Sequence, residues 1–146
     1  MPVPRTSPGA VALAVVLVLT ACSPLTGADR PNLGVSNGTT LVVTLVVNNA
    51  AVGEFPPGEP GSDIDEMRLP PLPWTVEARS PSGRVLTDMR VEPGMVWTKP
   101  RADGGTERSG VLGRVDLSCG SLRIWAGDVQ PSGPVPGPGQ PGDCEP

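Results

Sequence analysis

Apolar and polar side chains alternate along several short segments of the chain, which is the pattern of strands with one face toward a core. Residues 74–79, 84–91 and 111–119 each show this two-residue period. The side chains predicted to face inward in these segments are Trp74, Val76, Ala78, Val85, Met89, Val91, Val115, Leu117 and Cys119. Each segment is therefore predicted to form a strand with one solvent-facing side.

The strongest strand signal is residues 39–47, with the sequence TTLVVTLVV. β-branched residues dominate this segment, and such residues favour strands. Because apolar residues occupy both of its faces, we predict a central strand buried on both sides. Asn48 and Asn49 follow, and asparagine tolerates the left-handed backbone of a tight hairpin, which would lead into a strand at residues 51–55. Residues 58–65 are predicted to form a loop.

Further short strands are predicted at residues 95–98 and 122–125, with a hairpin connection at residues 102–105. In total, seven or eight strands are expected, with turn signals between them and no segment of helical period. We therefore predict an all-β fold over residues 32–127, a small antiparallel β-sandwich of the immunoglobulin-like or transthyretin-like kind. The Cys…Trp…Cys spacing of true immunoglobulin domains is absent.

Composition and charge limit the chain to one such domain with a tail. Of 146 residues, 20 are Pro and 19 are Gly, and the length suffices for one small core. Pro and Gly are concentrated in residues 128–146, which cannot bury a core and are predicted to be disordered. With 11 basic against 15 acidic residues, the chain lacks the basic surface that binds nucleic acid.

Residues 1–21 have the features of a secretory signal peptide. Arg5 lies in a short polar start, and residues 10–19 are all apolar. A helix of that length would cross about half of a bilayer's hydrocarbon core of about 30 Å. This segment is therefore predicted to direct secretion and not to span a membrane.

The signal segment ends in Leu19-Thr20-Ala21-Cys22, which resembles the lipobox of bacterial lipoproteins. This resemblance covers residues 1–22 only, and it implies cleavage after Ala21 and a diacylglyceryl group on Cys22. The mature chain would begin with a tether, residues 22–31. Its lipid would hold it outside the cytoplasmic membrane, or at an outer membrane where one exists. The body resembles small proline-rich lipoproteins that have no assigned role. The alternative is an ordinary secretory peptide with an incidental cysteine.

Two cysteines remain once Cys22 is assigned to the lipid. In an oxidising compartment, Cys119 and Cys144 can pair. A bridge across their separation of 25 residues would tie the tail to the domain. The alternative is a pair of free thiols. Zinc is not expected, since two cysteines are too few for a site and the chain has no His.

An acidic segment is the one candidate for a metal site. Asp63, Asp65 and Glu66 could offer oxygen ligands to Ca²⁺, but their spacing lacks the EF-hand pattern. The alternative, which we favour, is a solvated loop. No cofactor is expected.

The three tryptophans are candidates for either core or recognition roles. Trp74 shares its face with Val76, so it is predicted to lie in the core. Trp125 shares its face with Arg123, and the two could form a recognition patch; alternatively, the C-terminal tail covers Trp125. Trp97 fits either an exposed or a buried position.

No catalytic function is expected, because the chain has no His to activate a serine and no glycine-rich phosphate-binding motif. The leading hypothesis is a lipid-anchored binding or assembly module. It would dock to an envelope or secreted protein, for example by strand addition at an exposed sheet edge. One alternative is recognition of a non-protein ligand, such as wall glycan or a solute, through Trp97, Arg123 and Trp125. Another is a passive structural role at the surface.

Overall fold

A computed structural model describes residues 30–128 and 139–145 of the chain. The predicted signal peptide, the lipidation site Cys22 and most of the predicted tether lie outside these residues. Residues 129–138 and 146 of the predicted disordered tail lie outside them as well.

Within the described residues, the chain forms ten strands and one short 3₁₀ helix, Glu66–Arg68. In chain order the strands are β1 (Leu33–Asn37), β2 (Val43–Val47), β3 (Ala50–Phe55), β4 (Glu59–Ile64), β5 (Trp74–Arg79), β6 (Val85–Val91), β7 (Trp97–Pro100), β8 (Thr106–Ser109), β9 (Val111–Leu117) and β10 (Gly120–Ala126).

The strands form two four-stranded sheets and a separate two-stranded ribbon. Sheet 1 has the order β4-β1-β10-β9, sheet 2 has the order β3-β2-β5-β6, and the ribbon pairs β7 with β8. Every strand pair is antiparallel. Sheets 1 and 2 pack face to face, so the predicted all-β antiparallel sandwich is confirmed.

The core lies between the two sheets and consists of the inward side chains of alternating positions. Trp74 is almost fully buried there, with Val76 and Ala78 on the same face of β5. Its indole N–H donates to the Pro70 carbonyl at 2.8 Å, which satisfies the one polar atom that this large side chain brings into the core. The predicted core position of Trp74 is confirmed.

The core contains one fully buried amide, that of Asn37 at the end of β1. The two N–H groups of its Nδ2 are shared among the carbonyl oxygens of Leu41 at 2.8 Å, Phe55 at 3.1 Å and Pro56 at 3.0 Å. Its Oδ1 accepts from the backbone N–H of Thr39 at 3.1 Å and from the Thr39 hydroxyl at 2.7 Å. The side chain of a sheet 1 residue thus holds the backbone at the start of β2 and the end of β3, both in sheet 2.

This amide explains why the strand predicted at residues 39–47 begins only at Val43. The Asn37 side chain takes up hydrogen-bonding groups of the Thr39 and Leu41 backbone that a neighbouring strand would otherwise pair with. The backbone at these residues therefore forms a bend. The prediction of a central strand is correct, since β2 lies between β3 and β5. Burial on both faces is wrong: Val46 is only half-buried, because within the described residues no further layer covers the outer side of sheet 2.

Residues 58–65 were predicted as a loop, and this prediction is wrong because Glu59–Ile64 forms the edge strand β4, paired with β1. Pro60 and Gly61 conceal the strand in the sequence. Proline is tolerated at an edge, where one side of the backbone needs no ladder partner.

Other details differ from the predictions. The described residues contain ten strands where seven or eight were expected, since no strand was predicted at β1 or β8. Val85 is 42% exposed and does not face the core. A register shift opposite Ala78 and Arg79 places an extra residue, Leu86, in β6, and Leu86 packs against the core instead. The strand predicted at residues 95–98 is displaced by two residues, to Trp97–Pro100.

The sandwich has two distinct ends. At the first, β1 begins at Leu33, opposite Ala126 at the end of β10. We call this the tether end, because the chain enters the described domain there at Arg30. At the second, which we call the disulfide end, Asn37 and the turn between β9 and β10 lie together, since Gly38 N–H donates to the Ser121 carbonyl at 2.8 Å.

The predicted bridge between Cys119 and Cys144 is present at the disulfide end. It ties residues 139–145 to the turn between β9 and β10. Asp143 strengthens this attachment, because its carboxylate accepts from the Ser118 hydroxyl at 2.6 Å and from the Ser118 backbone N–H at 2.9 Å.

The pKa of Asp143 is lowered, chiefly by the side-chain hydrogen bond from Ser118. A carboxylate with a lowered pKa stabilises the folded state above its ordinary pKa, and this contribution is lost as the pH falls through the lowered value. The contribution of Asp143 to this attachment is therefore expected to be lost only at pH values below the ordinary pKa of a carboxylate, while the disulfide remains.

Replacing Asn37 by Ala is expected to destabilise the domain by about 3 kcal/mol, because buried carbonyls lose their donor. The melting temperature, followed by circular dichroism, should fall by roughly 15 °C. Ser36→Ala is the matched control, since the Ser36 hydroxyl makes only one long bond, 3.5 Å, to the Glu59 carbonyl. If the melting temperature falls no further in Asn37→Ala than in Ser36→Ala, the stabilising role assigned to the Asn37 amide is wrong.

Replacing Cys119 and Cys144 together by Ser should lower the free energy of unfolding by about 3–4 kcal/mol, the chain-entropy value for their separation of 25 residues. The measurement is denaturant unfolding of a Cys22→Ala chain with and without the two substitutions. Equal unfolding midpoints would show that the bridge does not restrict the unfolded chain.

Candidate functional site

The outer face of sheet 1 brings together Trp125 and Arg123, the two residues predicted to form a patch. Both lie on β10, an inner strand between β1 and β9. They point outward because their neighbours Leu122 and Ile124 are fully buried in the core. Trp125 and Arg123 are each half-buried. We call the outward side of β1, β10 and β9 the Trp-Arg face.

The indole ring of Trp125 lies directly over Gly34, its pairing partner on β1. A Cβ atom at Gly34 would come within 2.3 Å of the ring carbon Cε2, so only glycine leaves room for the ring there. A Cβ at Gly61 on β4 would lie 3.7 Å from the far ring carbon Cη2. The ring therefore extends across β1 toward β4 and rests on bare backbone, which makes it a flat aromatic surface on the sheet.

Arg123 lacks the partner that its neighbour has. On β9, Arg114 is opposite Arg123, and its guanidinium forms an ion pair with Asp116 at 3.0 Å. None of the ion pairs among the described residues includes Arg123. Its Nε atom is buried and has no hydrogen-bond partner in the part of the chain that the structure describes. Because a buried donor without an acceptor costs free energy, the Trp-Arg face holds a cation whose hydrogen bonding is incomplete.

The Trp-Arg face therefore combines an aromatic surface and an unpaired guanidinium two residues apart on one strand. A guanidinium binds carboxylates and phosphates through parallel N–H donors. An indole ring packs against apolar side chains and against the apolar faces of sugar rings. The chemistry of this face suits a ligand that carries an anionic group beside an apolar one.

Trp97 does not join this face. It lies on the ribbon, where the Nζ of Lys99 is 4.4 Å from the centre of its ring. Trp97 lines a groove of about 350 Å³ at the tether end, together with Arg30, Glu66 and Val96. Trp125 and Arg123 do not line this groove.

The three acidic candidates for a Ca²⁺ site do not form one cluster of ligands, although Asp63 and Asp65 line the same groove between β3 and β4. Asp63 is exposed on β4, Asp65 accepts from the Met67 backbone N–H at 2.9 Å as the cap of the 3₁₀ helix, and Glu66 lines the groove beside Trp97. In the described parts of the chain, no group of three Asp, Glu, His or Cys side chains could hold a metal ion.

A second groove, of about 570 Å³, lies between β3 and β4, where one edge of each sheet is open. Both of these edge strands have a register shift in their pairing, and β4 contains Pro60. Bulges and proline are features that hinder pairing with an added strand. Docking by strand addition, one of the sequence-based expectations, is therefore not favoured at these two edges.

Residues 30–128 and 139–145 contain no helix of the length and hydrophobicity needed to cross a bilayer. Comparison with protein-family models, with curated proteins and with solved structures finds no match to this chain.

Sequence reasoning missed Gly34, Gly61 and the Arg114–Asp116 pair as parts of the site. A glycine inside a strand can indicate close approach of another group, but the pairing register was needed to identify Trp125 as that group. Whether Arg123 forms an ion pair likewise depends on which carboxylates lie near it in space.

Gly34→Ala is expected to displace the Trp125 ring, because the new Cβ would overlap it. The indole N–H resonance of Trp125, assigned with Trp125→Phe, should shift while that of Trp74 stays in place. Stability should fall by about 1–3 kcal/mol, as in other overpacked sites. Ser36→Ala, on the same face of β1, serves as the control. An unchanged Trp125 resonance would mean that the ring does not rest on Gly34.

Proposed function

We propose that this protein is a lipid-anchored module outside the cytoplasm that binds an envelope or secreted protein through the Trp-Arg face. The single observation that carries the proposal is the guanidinium of Arg123, which lies beside the ring of Trp125 and forms no ion pair with any described residue. In the partner, the matching groups are a carboxylate, from Asp, Glu or a chain terminus, and an adjacent apolar side chain.

The location part of the proposal rests on the lipobox-like sequence Leu19-Thr20-Ala21-Cys22. A diacylglyceryl group on Cys22 would hold the domain at the cell membrane, or at an outer membrane if the cell has one. The disulfide between Cys119 and Cys144 is consistent with an oxidising compartment.

The arrangement of the Trp-Arg face supports binding in preference to catalysis. Its polar groups are a guanidinium, an existing ion pair and the Ser36 hydroxyl, and the chain has no His to activate that hydroxyl as a nucleophile. Arg and Trp are also the residue types that most often contribute strongly to protein interfaces.

A second candidate function is recognition of wall glycan or another non-protein ligand. The observation that favours it is the flat position of the Trp125 ring over Gly34, since a flat indole can stack against a sugar ring. In that case Arg123 would bind an acidic group of the glycan. The remaining alternative, a passive structural role at the surface, requires neither a protein partner nor a glycan.

In-cell crosslinking followed by mass spectrometry tests the proposal. The lipidated chain should enrich one envelope or secreted protein, and Cys22→Ala should lose that enrichment because the anchor is gone. Arg123→Gln should reduce recovery about tenfold or more, the effect of removing one member of an interfacial charge pair. Arg90→Gln is the matched control, because Arg90 is an exposed arginine on sheet 2 that pairs with Glu92.

Failure to enrich any protein would contradict docking to a protein partner, as would equal recovery with Arg123→Gln and with the control. Wall fragments should then be tested directly. Loss of their retention in Trp125→Ala at unchanged thermal stability would support the glycan candidate.

A further inference from the structure

We infer that the tether end of the sandwich lies against the lipid bilayer that holds the anchor, with Met67 and Trp97 at the level of the lipid headgroups. This inference rests on the lipid anchor proposed above for Cys22. It adds a direct protein–lipid contact and an orientation of the domain on the membrane.

The point at which the chain enters the domain limits how far the tether end can be from the membrane. Arg30 lines the same groove as Trp97 and Glu66. Cys22 is eight residues before Arg30. A chain of that length spans at most about 29 Å even when it is fully extended. A lipid on Cys22 therefore keeps this groove within that distance of the bilayer surface.

The most exposed large apolar side chain among the described residues lies at this end. Met67 is 90% exposed, on the 3₁₀ helix directly after Glu66 of the groove. Met95, 44% exposed, lies next to Val96 in the groove wall. Val42 and Val85 are exposed to a similar extent as Met95, but they lie toward the disulfide end. Among the described residues, the one large apolar side chain that is almost fully exposed therefore lies at the end of the domain nearest the proposed anchor.

Trp97 and Lys99 add the pair of residue types that suits a membrane–water interface. The ammonium of Lys99 is 4.4 Å from the centre of the Trp97 ring. Tryptophan concentrates at the headgroup level, and a lysine can keep its charge in water while its methylene stem lies along apolar surface.

The charges around Met67 and the ribbon indicate that the contact is apolar. Arg101 pairs with Asp103 at 3.2 Å, and Arg108 pairs with Asp128 at 3.1 Å. Glu66 and Arg68 flank Met67 with opposite signs. Lys99 and Arg30 at this end are matched in number by Glu107, opposite Lys99 on β8, and by Asp65, the cap of the 3₁₀ helix. Because the local charges balance, contact with the bilayer should depend little on salt or on anionic lipid.

The test is the fluorescence of the full lipidated chain in phosphatidylcholine vesicles, with and without bromine atoms on the acyl chains near the headgroups. Bromine quenches nearby tryptophans, so the emission should fall in brominated vesicles. Trp97→Phe should remove the quenched component, and Trp125→Phe should retain it. Met67→Ser should weaken the quenching, whereas Val42→Ser, its matched control at the other end, should not. High salt should leave the quenching unchanged.

Flotation of the same vesicles separates failure of this inference from failure of the proposed function. A chain that floats without quenching carries its anchor but does not touch the bilayer, which overturns the inference alone. Quenching that Trp125→Phe removes would place the Trp-Arg face on the membrane and would also overturn the inference. A chain that does not float has no anchor, and both the inference and the location proposed above then fail. Partner binding by Arg123 is measured independently by crosslinking.

Discussion

In the described part of the chain, the fully buried amide of Asn37 connects the two sheets through hydrogen bonds within a largely apolar core. Asn37 lies at the end of β1 in sheet 1, and its hydrogen bonds reach backbone carbonyls of Leu41 and Phe55, at the boundaries of β2 and β3 in sheet 2. Apolar packing drives the two sheets together but does not direct one sheet to a unique position on the other. The Asn37 amide does so through its bonds to the Phe55 and Pro56 carbonyls, since a slip of the sheets would leave these groups unpaired.

Because the sandwich is stabilised through the inner faces of its sheets, their outer faces can take up other roles. On sheet 1, the small residue Gly34 allows the ring of Trp125 to lie flat on the backbone. Arg114 is neutralised by Asp116, while Arg123, opposite it, is not paired. The pairing register of three strands thus creates a site that local sequence alone does not show.

The two ends of the domain are also chemically different. The disulfide end is closed by the bridge from Cys119 and by the hydrogen bonds of Asp143. The tether end carries the ribbon, the groove with Trp97 and the exposed Met67. With an anchor at Cys22, this difference between the ends would turn the tether end to the membrane. The Trp-Arg face would then lie on the side of the domain, accessible to a partner.

The amino-acid sequence by itself determined the β class, the hairpin at Asn48 and Asn49, and the core position of Trp74, because side-chain alternation and turn preference are local properties. It also indicated the cysteine pair, since only two cysteines remain in the body of the chain. Tertiary structure alone decided where β2 begins, that Pro60 lies in a strand, and that Val85 faces solvent. Each depends on a partner distant in sequence: the amide of Asn37, the edge of β1, and a bulge opposite β5. The same reason applies to the site, where the register of β9 and β10 places Arg123 opposite Arg114, and that of β1 and β10 places Trp125 over Gly34.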